Sequence, residues 1–65
     1  MYQIVYRKKP LQMFYLHVSE GDVPDLDKEF EDFKEKHPEW DVYIIEPDAD
    51  MVTYTMIRES GRKET

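Results

Sequence analysis

The chain has 65 residues, with fifteen Asp and Glu against nine Lys and Arg, a net charge of −6, no cysteine and 40% hydrophobic residues. A chain of this length makes one small domain that buries only about 60% of the surface its unfolded form exposes, too little to enclose a large cofactor or wall a deep active site. Lacking cysteine, it can build neither a disulfide framework nor a thiolate zinc site.

No apolar run reaches the roughly 20 residues that a membrane helix needs. The opening Met1-Tyr2-Gln3-Ile4 has no basic leader ahead of an apolar stretch. A soluble, cytoplasmic protein is the expectation.

In chain order, residues 2–8 are rich in β-branched and aromatic types and predict a strand, which Lys9-Pro10 ends. A second strand is predicted over Gln12 to Val18, completing a first hairpin. Ser19-Glu20-Gly21-Asp22 then reads as a turn. Apolar residues at 23, 26, 30, 33 and 40, with His37, follow at helical spacings of 3 and 4. Asp22 is placed to cap the helix. Pro24 suits a first turn, where its missing donor costs nothing, and Asp25 and Asp27 favour the positive end of the dipole. Lys34 and Lys36 favour the other end, and Pro38 disfavours helical geometry at His37, so the helix is predicted over Val23 to Lys36. Trp40 is expected to fold back over its last turn.

A third strand follows over Asp41 to Glu46, then turn chemistry in Pro47-Asp48-Ala49-Asp50, then a fourth strand over Met51 to Arg58. The predicted fold is α+β in the order β-β-α-β-β: two hairpins forming one antiparallel or mixed four-stranded sheet with a helix on one face. It occupies residues 1–58 as a single domain, with a frayed polar tail over 59–65.

Charge is unevenly spread: residues 1–18 carry +3, residues 19–50 carry thirteen acids and three lysines, and residues 51–65 carry +1. The acidity is therefore a local field over the central segment, which favours a basic partner and repels nucleic acid. On the helix, Asp25, Glu29, Asp32 and Glu35 form the candidate partner-binding array, with neighbouring carboxylates roughly 5–6 Å apart. Such an array could also imitate the charge of nucleic acid, in the manner of a phage inhibitor.

Strand alternation sorts the sheet residues into two sets. Ile4, Tyr6, Phe14, Leu16, Val18, Val42, Ile44, Val52, Tyr54 and Met56 are assigned to the helix-facing core with Leu26, Phe30 and Phe33. The opposite face then carries Gln3, Val5, Arg7, Met13, Tyr15, His17, Tyr43, Ile45, Met51, Thr53, Thr55 and Ile57, a set too apolar for water alone that one helix cannot cover as well. It forms the second candidate partner-binding surface, for an apolar patch on a larger protein or for a second copy of the chain. A third use of this face is single-stranded nucleic-acid binding, with Tyr15 and Tyr43 stacking on bases and Arg7, Lys8, Lys9 and Arg58 contacting phosphates. The net charge argues against that use.

No catalytic, metal or cofactor constellation is present in the sequence. Asp48, Asp50 and Glu59 occupy positions 1, 3 and 12 of a calcium-loop template, but Val52 and Thr53 stand where a ligand and a glycine are required. His17 and His37 lie on different elements and make no ligand-type pairing with each other at i, i+3 or i+4. Ser19 and Ser60 lack a His and a carboxylate at motif spacing, and Gly21 and Gly61 make no phosphate loop. The expectation is a protein without enzyme activity, metal or cofactor.

Tyr2-Gln3-Ile4-Val5-Tyr6, then Tyr15-Leu16-His17-Val18-Ser19-Glu20-Gly21-Asp22-Val23, then Ile44-Ile45-Glu46-Pro47-Asp48-Ala49-Asp50-Met51-Val52-Thr53-Tyr54 resembles the small epsilon subunit of Firmicute RNA polymerase. The likeness covers residues 2–57 in length, acidity and element order. That family's fold is in turn likened to a small phage inhibitor of bacterial RNA polymerase. The resemblance implies an accessory or inhibitory protein of the polymerase. This sequence departs from the family in its tight first turn and in ending on a polar tail without a final strand, and no site residue is carried over.

Overall fold

The computed structural model describes residues 1–8, 16–50 and 52–61. Strands β1 (Tyr2–Arg7) and β2 (Leu16–Gly21), helix α1 (Val23–Lys36), and strands β3 (Asp41–Pro47) and β4 (Tyr54–Glu59) follow one another along the chain. The four strands form one sheet in the order β2-β1-β3-β4, every neighbouring pair antiparallel, with α1 on one face. The architecture is α+β with the element order that the sequence predicts.

The helix has the predicted bounds, and its C-terminal stop works as expected: the His37 N–H donates to Phe33 O at 2.8 Å, and Pro38 prevents a further turn. The N-terminal cap differs. Asp22 is the cap residue, but its side chain accepts no capping bond. Its backbone carbonyl instead accepts the Asp25 and Leu26 N–H groups, each at 3.0 Å. Pro24 has removed one of the donors that a capping carboxylate would take, and the Asp25 N–H is already used.

Ile4, Val42 and Ile44 from the two central strands meet Leu26 and Phe30 in a core whose members are at most 2% exposed, with Tyr2, Tyr6, Val18, Phe33 and Trp40 packed around it. These five are the right residues for the place. Strands β1 and β3 lie in the middle of the sheet, beneath α1, where a β-branched side chain loses the most water-exposed surface.

Both edge strands carry a β-bulge. The ladder between β1 and β2 runs Ile4↔Ser19 and then Val5↔His17, leaving Val18 without an opposite residue. That between β3 and β4 runs Ile44↔Arg58 and then Ile45↔Met56, leaving Ile57 extra. One inserted residue shifts the alternation on one side of it. Tyr54 and Met56 therefore lie on the face with Tyr43 and Ile45, at 41% and 44% exposure, and not in the helix-facing core to which strict alternation assigns them. Val52, also assigned to that core, is 82% exposed in the connection before β4. A bulged edge strand is also a poor template for further strand pairing.

Strand ends shift for local reasons. Strand β2 runs on through Ser19-Glu20-Gly21, because Glu20↔Gln3 and Gly21↔Tyr2 continue the ladder with β1; residues 12–15 of the predicted second strand, Phe14 among them, lie outside the described residues. Strand β4 starts at Tyr54, later than predicted, because the Asp50 carboxylate holds the Val52 and Thr53 N–H groups at 2.9 and 3.3 Å in the turn. It also continues past Arg58. Glu59 lies opposite Tyr43, and Ser60 donates its N–H to Val42 O while its Oγ accepts the Val42 N–H, both at 3.0 Å. The part of the expected tail over 59–60 is thus tied to the sheet, Gly61 after it has a φ of 71° that suits glycine, and residues 62–65 of that tail lie outside the described residues.

Candidate functional site

Leu26, Phe30 and Phe33 turn one side of α1 to the sheet, so helical geometry directs Asp25, Lys28, Asp32 and Glu35 outward. Two polar tethers fix the flanks. On the β2 side, Ser19 Oγ donates to Glu29 Oε2 at 2.8 Å. On the β4 side, the Arg58 guanidinium donates to Asp27 Oδ1 at 2.8 Å and to Glu31 Oε1 at 2.5 Å, and lies 4.7 Å from the centre of the Phe30 ring. The helix is thereby held from both edges of the sheet as well as from beneath.

Between the tethers lies a shallow concavity of about 460 Å³ lined by Asp25, Lys28, Glu29, Glu31, Asp32 and Glu35. All four predicted helix residues are in it. Asp25 and Glu35 are exposed, and their carboxylates have no ionic or hydrogen-bond partner among the described residues. Asp32 is exposed and pairs with Lys36 at 3.2 Å, whereas Glu29 is half-buried and committed to Ser19. The four are therefore unequal: Asp25, Asp32 and Glu35 present charge to solvent, and Glu29 mostly anchors the helix.

The sheet face presents differently from the expectation. Tyr43 and Ile45 form a second apolar cluster with Val5 and are only 5% and 6% exposed, so neither offers the open surface expected of it. Both sit on a central strand, flanked on the same face by Val5 of β1 and by Met56 of β4. His17 is half-exposed, 3.5 Å from Glu20. Met13, Tyr15 and Met51 lie outside the described residues. Among the described residues, Tyr54 and Met56 are exposed apolar side chains on this face, which alternation missed because nothing in the sequence marks the bulge, and Ile57, expected here, is 42% exposed at the bulge itself.

Of the groups that nucleic-acid binding would need, Tyr43 is buried, Arg7 Nε is 2.9 Å from Asp41 Oδ2, and Arg58 is engaged with the helix. Asp48 and Asp50 serve the turn, where Thr53 Oγ1 donates to Asp48 Oδ2 at 2.5 Å. The Val52 N–H above all, and the Thr53 N–H after it, hold the Asp50 carboxyl below its ordinary pKa.

The sequence signals Asp25, Glu29, Asp32 and Glu35 through their spacing. It does not signal Ser19 or Arg58, whose roles arise only from strand pairing across the sheet. Compared with family models, curated proteins and solved structures, the chain has no match in any of the three.

Proposed function

We propose that this chain is a small acidic, non-enzymatic module that binds a basic surface of a larger protein through the outward side of α1. The observation that carries the reading is the concavity between the Ser19 and Arg58 tethers, where the carboxylates of Asp25 and Glu35 stand exposed without a partner among the described residues. A helix held on three sides presents these charges without first having to be ordered, which lowers the entropic cost of binding. Complementary charge of this kind speeds encounter and selects basic partners.

The resemblance in the sequence makes bacterial RNA polymerase the first partner to test, with this chain as an accessory subunit or inhibitor. If the surface it covers on that partner normally holds nucleic acid, the chain acts as a charge mimic and competes with duplex DNA.

The experiment is a titration of the purified chain against polymerase core enzyme at 0.05 and 1 M salt, with an Asp25→Lys/Asp32→Lys variant in parallel. Because the Debye length falls to about 3 Å at 1 M, binding is expected to weaken steeply with salt and to be lost on charge reversal. Binding that survives both changes would remove the acidic helix from the interface. A second reading rests on Tyr54 and Met56, exposed on the sheet face: a second copy packs there. It predicts dimers in sedimentation at 1 M salt that Tyr54→Ser/Met56→Ser abolishes.

A further inference from the structure

At the rim of the core, the segment after α1 builds a stack of three rings whose outer member, His37, the core does not explain. Trp40 lies nearly parallel to Tyr6 of β1, with ring centres 4.5 Å apart and 9° between planes. It lies equally parallel to His37, with centres 3.6 Å apart. Phe33 of the last helical turn closes in at 6.3 Å. The stack thus joins the C-terminal end of α1 to strand β1 through one indole.

The backbone from the last turn of α1 to Trp40 is short and hydrogen-bonded. The His37 N–H donates to Phe33 O at 2.8 Å, and the Trp40 N–H donates to His37 O at 3.0 Å. Whatever tightens the contact of His37 with Trp40 therefore also closes this turn.

Histidine is the side chain whose charge ordinarily changes between pH 5 and 8. The groups around His37 are of both signs. Glu39 Oε1 lies 3.6 Å from His37 Nδ1 and places a negative charge beside it. The negative end of the α1 dipole acts in the same direction, while Lys34 and Lys36 in the last turn oppose it. From β1, Lys8 Nζ stands 5.4 Å from the Trp40 ring centre and 5.9 Å from that of Tyr6, and it also opposes a second positive charge. The contacts closest to the imidazole are Glu39 and the face of the indole, and an aromatic face attracts a cation laid over it.

We infer that His37 is a proton-sensitive latch: a proton on its ring tightens the stack on Trp40, and with it the junction between the end of α1 and strand β1. The latch would couple pH to the C-terminal end of the helix that carries the acidic array. It does not depend on what that array binds.

The single tryptophan makes the latch readable, since an imidazolium stacked on an indole quenches its emission. The test compares the intact protein with His17→Gln and His37→Gln, recording Trp40 emission from pH 8 to 5 together with amide exchange corrected for intrinsic rates. Emission is expected to fall on acidification in the intact protein and in His17→Gln, and to stay level in His37→Gln. The His37 and Trp40 amides are expected to exchange about fivefold more slowly at the acid end, the size of one exposed cation–π contact.

An unchanging emission in the intact protein, a change that persists in His37→Gln, or quenching without slower exchange would each overturn the inference. Should His37→Gln fail to fold, Glu39→Gln carries the test. Its gain in protection is expected to be smaller than that of the intact protein, and an equal gain would overturn the latch.

Discussion

Arg58→Met separates the parts of the contact that fastens β4 to the helix. The substitution keeps an unbranched stem over Phe30 and removes the guanidinium that reaches Asp27 and Glu31. Arg58, Asp27 and Glu31 are 40%, 47% and 49% exposed, so solvent weakens each ion pair to about 0.3–0.5 kcal/mol. The cation over Phe30 adds about 0.5–1 kcal/mol. Together the loss should be about 1–2 kcal/mol, which for a domain of this size lowers the unfolding temperature by roughly 5–15 °C. Thermal unfolding followed by circular dichroism at 0.05 M salt measures it. At 1 M salt the ion-pair share should vanish, leaving about half the difference. An unfolding temperature unchanged by Arg58→Met, or a loss of the same size at both salt concentrations, would refute the assignment of Arg58 as an ionic tether.

Phe30→Ala should cost about 3–5 kcal/mol and bring so small a domain close to unfolding at 25 °C, whereas a loss under about 1 kcal/mol would mean that Phe30 is not at the centre of the core. Met56→Ala should cost under about 1 kcal/mol while Ile44→Ala costs about 2–5, measured by urea unfolding; equal losses would mean that β4 is not bulged as described. The lowered pKa of Asp50 means that its carboxylate stabilises the turn fully above about pH 4, the ordinary aspartate range, and that this contribution is lost as pH falls through the lower folded value. In Asp50→Asn the acid-limb loss should shrink relative to the intact protein, and identical pH profiles from 2 to 6 would contradict the turn's dependence on that charge.

What the sequence makes legible is what depends on near neighbours. Pro24 and the His37-Pro38 pair bound the helix because their effects act within one turn, and the 3-and-4 spacing of Leu26, Phe30 and Phe33 identifies the buried side without knowledge of the sheet. Ile4, Val42 and Ile44 fall in the core because regular alternation holds in the central strands. The edge strands are less legible. A single inserted residue at Ile57 moves Tyr54 and Met56 to the other face, and no residue type there announces it. Ser19 and Gly21 favour turns locally, yet pairing with β1 draws them into a strand.

The candidate site divides along the same line. Asp25, Asp32 and Glu35 are exposed as their helical positions dictate, whereas the anchoring of Glu29 by Ser19 and of Asp27 and Glu31 by Arg58 requires the sheet to be assembled first. The burial of Tyr43 and Ile45 is likewise a property of the assembled sheet.

The proposed function places a partner on the outward carboxylates of α1. Its most direct test neutralises them one at a time, as Asp25→Asn, Asp32→Asn and Glu35→Gln, with Glu46→Gln as a control away from the concavity, and follows polymerase binding across a salt series. Each of the three should weaken binding and flatten its dependence on salt, while the control leaves both unchanged. Equal affinities and equal salt slopes for all four variants would contradict the claim.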